Sequence, residues 1–207
     1  MKPPANLLRI VLVSIFLLVA CEPEEHNYIY QKLIARVYTT NGYTVQNGAK
    51  FKQDDVFFTA IIPVTRLASN FKWGSSAYAT SVPEPTTKLT EKIADIKVIA
   101  LNDFSDTYKA GDNIADVCTY YDTENSHVSA DRYIAFVDST ARTKQAAIDA
   151  INSSFVGFYS YNNLVQRFAF RINAKAYTNT AQRFAIVLIT DKYTALTDTT
   201  VTINIKP

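Results

Sequence analysis

Glycine is scarce in this chain, five in 207 residues, and histidine and cysteine are scarcer still at two each. So few glycines leave no Gly-rich loop to cradle phosphates, which argues against nucleotide use. They also leave no Gly-x-Ser-x-Gly elbow to present a nucleophilic serine. His26 and His127 each lack a second His or Cys at ligand spacing, which argues against a zinc site. Cys118 with His127 is the one Cys–His pairing in the body of the chain. Cys118 falls on an apolar stripe, where a buried thiol is inert.

Excess charge is missing too. Of 21 Lys and Arg, Lys2 and Arg9 lie in the first twenty residues, which hold no acid; the remainder carries 19 basic against 19 acidic residues. Without a net positive field the main electrostatic term for nucleic acid or anionic lipid is absent, and composition favours neither partner.

What is present is apolar and aromatic. Hydrophobic residues make up 48% and charged residues 19%, so disorder is not the default for the body of the chain. Thirteen Tyr and twelve Phe suit pleated, half-buried surfaces.

The N-terminus reads as an address. After Lys2 and Arg9 comes the apolar run Ile10–Ala20, 11 residues long. As a helix it measures about 16 Å against a hydrocarbon core of about 30 Å, too short to span. It ends in Leu18-Val19-Ala20-Cys21, which resembles the lipobox of bacterial lipoproteins. That resemblance implies a signal peptide over 1–20 and a lipid on the Cys21 thiol, with Cys21 left as the acylated first residue. Cys118 then has no partner for a disulfide within the monomer. Glu22-Pro23-Glu24-Glu25 follows, a solvated acidic tether assigned to 21–28. Glu22, Glu24 and Glu25 are similar to the acidic run that directs lipoproteins of the Bacteroidota to the cell surface.

From residue 29 onward one β-rich domain is expected, to residue 207. Leu33, Ala35 and Val37 alternate with Lys32, Arg36 and Tyr38. Asn41-Gly42 and Asn47-Gly48 signal turns. Val56–Ile62 is apolar on both faces, and Pro63 should end it. Residues 76–81 read as a further strand, and Pro83–Thr87 as an extended linker. Ile93–Leu101 sets Ala94, Ile96, Val98 and Ala100 on one side. Tyr133–Val137, Phe168–Ile172, Phe184–Ile189 and Val201–Ile205 complete about eight strands. Two short helices are expected as covers. One is capped by Asp112 and carries Ile114, Val117, Cys118 and Tyr121 on one face; the other runs over 141–153 with Ala147, Ile148, Ile151 and Phe155. The fold class is mainly β, an antiparallel β-sandwich (immunoglobulin-like or similar) with one or two short covering helices.

Candidate chemistry is thin. Asn102-Asp103-Phe104-Ser105-Asp106 with Gly111-Asp112-Asn113 is the densest polar cluster. It could ligate calcium through oxygen, yet lacks Asp-x-Asp-x-Asp-Gly spacing, and a solvated loop is the better reading. Otherwise no cofactor is expected. Tyr120-Tyr121, with Tyr159 and Tyr161, read as strand packing. Trp73 lies among Asn70, Lys72, Gly74, Ser75 and Ser76, a polar setting that makes it the candidate for ligand contact.

Lipobox, acidic tether and one aromatic-rich β domain together resemble the surface lipoproteins of the Bacteroidota. That plan implies a non-catalytic binding or structural module at the outer membrane. Its expected partners are the membrane through the lipid on Cys21 and a glycan or envelope protein. The alternative from another class is a cell-envelope hydrolase with a carboxylate pair, since 19 acids allow many pairs.

Overall fold

The computed structural model describes residues 25–67, 86–121, 128–129, 132–133, 141–153, 165–178 and 180–206. They form a mainly β domain, a sandwich of small sheets. The larger sheet is centred on β4 (Val56–Arg66), whose burial is nearly continuous along its first half. On one side β4 pairs with β11 (Val165–Ile172), followed by β7 (Cys118–Tyr121) and β10 (Ala141–Arg142). On its other side two strands share its length. β2 (Ile34–Thr39) pairs with residues 56–61, and β1 (Glu25–Tyr30) pairs with residues 64–66. β1 then pairs in parallel with β5 (Thr86–Leu89).

That shared edge explains why β4 continues through Pro63, where the sequence predicts a stop. The Pro63 carbonyl accepts the Gln31 N–H at 3.0 Å, so its ring nitrogen faces the same side, into the gap between β2 and β1. No ladder donor is needed there.

A second sheet sets β13 (Phe184–Thr190) between β6 (Ile93–Ala100) and β14 (Ala195–Thr199). A third joins β3 (Ala49–Phe51), β12 (Ala181–Gln182) and β15 (Ile203–Ile205), with β15 and β3 parallel. The short ribbon β8 (Val128–Ser129) and β9 (Arg132–Tyr133) stands apart from these pairings. The core closes between the first two sheets. Phe58 stacks on Phe170 at 5.3 Å and meets Phe184 edge-on at 5.1 Å, and Phe104 meets Phe184 at 5.8 Å. Rings at these separations add directional attraction to the burial of their area.

Three further expectations change. The helix expected after Asp112 is a 3-10 turn, Ala115–Val117, running straight into β7. Asp112 caps nothing helical; its carboxylate accepts the Lys109 N–H, and Asn113 Oδ1 takes the Ala115 N–H instead. The second helix, α1 (Lys144–Ser153), starts three residues later than expected and buries Ala147, Ile148 and Ile151; Phe155 lies outside the described residues. Ala94 is exposed, since the register slips opposite Ile189 and Thr190, so that Asp95 and Ile93 pair while Ala94 bulges between them.

The strands also reach into both stretches read as connectors. β1 begins at Glu25, within the tether of 21–28, and Thr86-Thr87 of the expected linker belong to β5.

Candidate functional site

Cys21, Glu22, Glu24, Trp73, His127, Tyr159 and Tyr161 lie outside the described residues, as do 76–81 and 134–137. Glu25 opens β1 opposite Thr86, and His26 stands opposite Thr87.

Cys118 starts β7 with its thiol buried, donating to the Ile114 carbonyl at 3.3 Å. Burial, with Asp116 adding, pushes that thiol up to about 12. A thiol so placed stays protonated at neutral pH and is no nucleophile. Tyr120 is wholly buried against Phe168 and Phe170, its hydroxyl donating to the Ala115 carbonyl at 3.0 Å. Tyr121 meets Phe57 edge-on at 5.9 Å, and the Arg171 guanidinium lies over the same Phe57 ring at 3.9 Å. This tyrosine pair packs the sheet, as its strand position predicts.

The polar cluster forms a tight loop after β6, closed largely upon itself. Asp103 Oδ1 accepts the Ala110 N–H at 3.0 Å, and Asp112 Oδ2 accepts the Lys109 N–H at 2.7 Å. Tyr177 joins from the segment after β11. Its hydroxyl donates to Asp106 Oδ1 at 2.5 Å and accepts from Lys109 Nζ at 3.4 Å. The bond to Asp106 holds the Tyr177 pKa above its ordinary value, and the bond to Tyr177 does the same for Lys109. These carboxylates hold N–H and O–H groups of the protein itself. Among the described residues no group of three or more His, Cys, Asp or Glu is arranged to hold a metal ion.

Other carboxylates do similar work. Asp198 of β14 reaches across to accept the Ala35 N–H at 2.8 Å, satisfying a donor on the outer edge of β2. Asp95 and Asp116 grip Lys144 at 3.3 and 3.0 Å, tying the first turn of α1 to β6 and to the 3-10 turn.

One feature points outward. The hairpin joining β13 to β14 closes through Asp191-Lys192-Tyr193, and the Tyr193 side chain is 90% exposed. Its backbone sits at φ 62°, the one positive φ on a non-glycine among the described residues. The hydrogen bonds define the turn. Tyr193 N–H donates to Thr190 O, Thr190 N–H to Thr194 O, and Thr194 N–H to Thr190 Oγ1.

The same set recurs after β2. Gly42 N–H donates to Thr39 O, Thr39 N–H to Tyr43 O, and Tyr43 N–H to Thr39 Oγ1. There the left-handed position is held by Gly42 at φ 82°. A three-residue hairpin loop of this kind ordinarily takes glycine at that position. The chain therefore builds one turn twice, with glycine in the first and a fully displayed aromatic ring in the second. Sequence reading missed Tyr193; the available signal was Thr-x-x-x-Thr between two strands with neither Gly nor Asn in the loop.

No protein-family model matches the chain, and no curated protein matches it.

Proposed function

We propose that this chain is a lipid-anchored, non-catalytic binding or structural module of the bacterial cell envelope, held at the outer membrane through Cys21. One observation carries the reading: a basic region, an 11-residue apolar run and Leu18-Val19-Ala20-Cys21 stand in register, and strand pairing begins only four positions later at Glu25. A folded domain set so close behind a lipidation signal is built to be held at a bilayer.

The non-catalytic part is supported by where reactive groups point. The Cys118 thiol is buried and protonated, and Asp95, Asp103, Asp106, Asp112, Asp116 and Asp198 each hold an N–H, a lysine or a tyrosine of the protein itself. The acidic run Glu22-Pro23-Glu24-Glu25 supports display at the cell surface. A glycan or an envelope protein is the partner class, with Trp73 as the proposed stacking residue.

The test is Cys21→Ser. The variant should release a soluble periplasmic form or stall processing. Unchanged membrane fractionation with normal cleavage would contradict the anchor. For the ligand, Trp73→Ala should lose glycan-array binding with little change in melting; a large drop in melting temperature instead assigns Trp73 to packing.

A further inference from the structure

Most buried polar groups in this fold are answered by the chain itself, but two unanswered ones lie close together. Tyr30 ends β1 with its ring in the core, 5% exposed, and its hydroxyl makes no hydrogen bond. Glu91, in the turn between β5 and β6, is 8% exposed and makes no hydrogen bond or ion pair with any other described residue. Burying a polar group without a partner is costly, and a carboxylate is costlier than a hydroxyl.

Backbone bonds fix the surroundings. Thr90 donates its N–H and its hydroxyl to the Tyr28 carbonyl, at 2.9 and 3.0 Å, which holds the turn against β1. Lys92 N–H donates to Asp191 Oδ1 at 3.1 Å, and Asp191 N–H to the Lys92 carbonyl at 2.8 Å. Those two bonds hold the same turn against the β13–β14 hairpin. Glu91 stands between the two attachments. Burial first, then the charges of Asp191 and Glu91, hold the Tyr30 hydroxyl above its ordinary pKa, so both carboxylates lie within electrostatic reach of it.

Three separate segments thus bring a phenol oxygen and two carboxylates together. Asp191 is exposed and uses Oδ1 on the Lys92 N–H, which leaves Oδ2 unbonded and one side of the group open to solvent. Lys88, Lys92 and Lys192 are exposed nearby, and none forms an ion pair with either acid.

We propose that Glu91, Asp191 and the Tyr30 hydroxyl form a binding site for a divalent cation, with calcium as the ion whose chemistry fits. The donors are all oxygen, as a hard cation requires, and two carboxylates balance one doubly charged ion. An ammonium group would balance only one of them. Calcium takes about 6–8 oxygens in flexible geometry, so water completes the shell on the open side. Two carboxylates make a weak site, with a dissociation constant of roughly 10⁻⁴–10⁻³ M, the range of extracellular modules. The loop after β6 is different, because its Asp103, Asp106 and Asp112 already hold N–H and O–H groups of the chain. A bound ion would cross-link the end of β1, the turn before β6 and the hairpin after β13. The site does not depend on the lipid anchor.

The experiment uses the full chain, expressed with its leader, purified in detergent and stripped with a chelator. Calcium chloride at about ten times the dissociation constant should raise the melting temperature by roughly 3–5 °C. Terbium, which enters calcium sites and is excited through a nearby tyrosine, should luminesce on the protein and be displaced by calcium. Glu91→Gln and Asp191→Asn should each weaken calcium binding by about tenfold or more. Tyr30→Phe removes only the unpartnered hydroxyl, so it should melt within about 1 °C of the wild type without calcium and still bind calcium more weakly. That pairing separates loss of the site from loss of the fold. A calcium response unchanged in Glu91→Gln and Asp191→Asn overturns the proposal and means adventitious ions on surface carboxylates only. A wild type with neither a melting shift nor terbium luminescence overturns it as well. Terbium binding lost in Asp103→Asn and kept in Glu91→Gln overturns it too, by moving the ion to the loop after β6. Every variant keeps Cys21, so each of these outcomes leaves the anchor reading standing.

Discussion

Tyr193 sits where local backbone chemistry asks for glycine. A left-handed φ on a residue with a Cβ costs roughly 1–2 kcal/mol, and the side chain is too exposed to recover it by packing. Tyr193→Gly should therefore stabilise the isolated domain by about 1 kcal/mol, seen as a rise of roughly 2–4 °C in melting temperature by calorimetry. A fall in melting temperature would show that the ring packs on the fold. Cys118 makes the opposite kind of case. Its apolar surroundings were legible in the sequence, and so was its inertness; the thiol should resist an alkylating reagent until the protein is denatured, whereas rapid labelling of folded protein would place it at the surface. Tyr193 was not legible, because its meaning depends on the Thr39–Tyr43 turn, and that twin is visible only once both hairpins are formed.

At the scale of elements, the strands most readable from sequence were those whose pattern left one choice. Phe168, Phe170 and Ile172 alternate with Arg167 and Arg171, and β11 follows that alternation, although Ala169 is buried as well. The misreadings come from short windows. Ile114, Val117, Cys118 and Tyr121 fit a helical stripe, yet a turn followed by a strand presents the same residues, and pairing with β10 and β11 decides for the strand. At Ala94 a bulge reverses the face, and at Pro63 a change of partner removes the need for a donor; neither is a local property of the sequence.

Loops fixed by side chains were equally hidden. Gln53 donates to the Ile172 and Ala174 carbonyls, both at 2.7 Å, and accepts the Ala176 N–H at 2.9 Å. Gln53→Ala leaves these three groups without that partner and should lower stability by about 2–3 kcal/mol in urea unfolding. A loss within about 0.5 kcal/mol would mean that water replaces the amide fully.

At the scale of the whole molecule, three buried acids set a pH limit. Burial, the largest cause in each, raises the pKa of Cys118 to about 12 and those of Tyr30 and Tyr120 above the ordinary phenol value. In the unfolded chain these groups ionise at about 8.5 for Cys and about 10 for Tyr. Folded stability is thus intact below about pH 8.5 and declines as pH rises from there toward the folded values, because the unfolded state releases its protons first. Cys118→Ala should remove the earliest part of that decline in a pH series of unfolding curves. An unchanged curve would contradict the assignment to Cys118.

The address has its own prediction. Since Glu25 already belongs to β1, the proposed export signal rests mainly on Glu22 and Glu24. Replacing all three by Ala should protect the protein from protease added to intact cells, and restoring Glu22 and Glu24 should recover most of the cleavage. Equal protection of wild type and triple variant would reduce the run to a spacer.

Everything proposed about location turns on Cys21. The most direct measurement is the intact mass of the protein purified from the cell envelope, with sequencing of its N-terminal peptide by mass spectrometry. The account predicts a chain that begins at Cys21 and carries the added mass of acyl groups on that residue. A chain beginning at Met1 or at any residue other than Cys21, with an unmodified Cys21 thiol wherever that residue is retained, would contradict it.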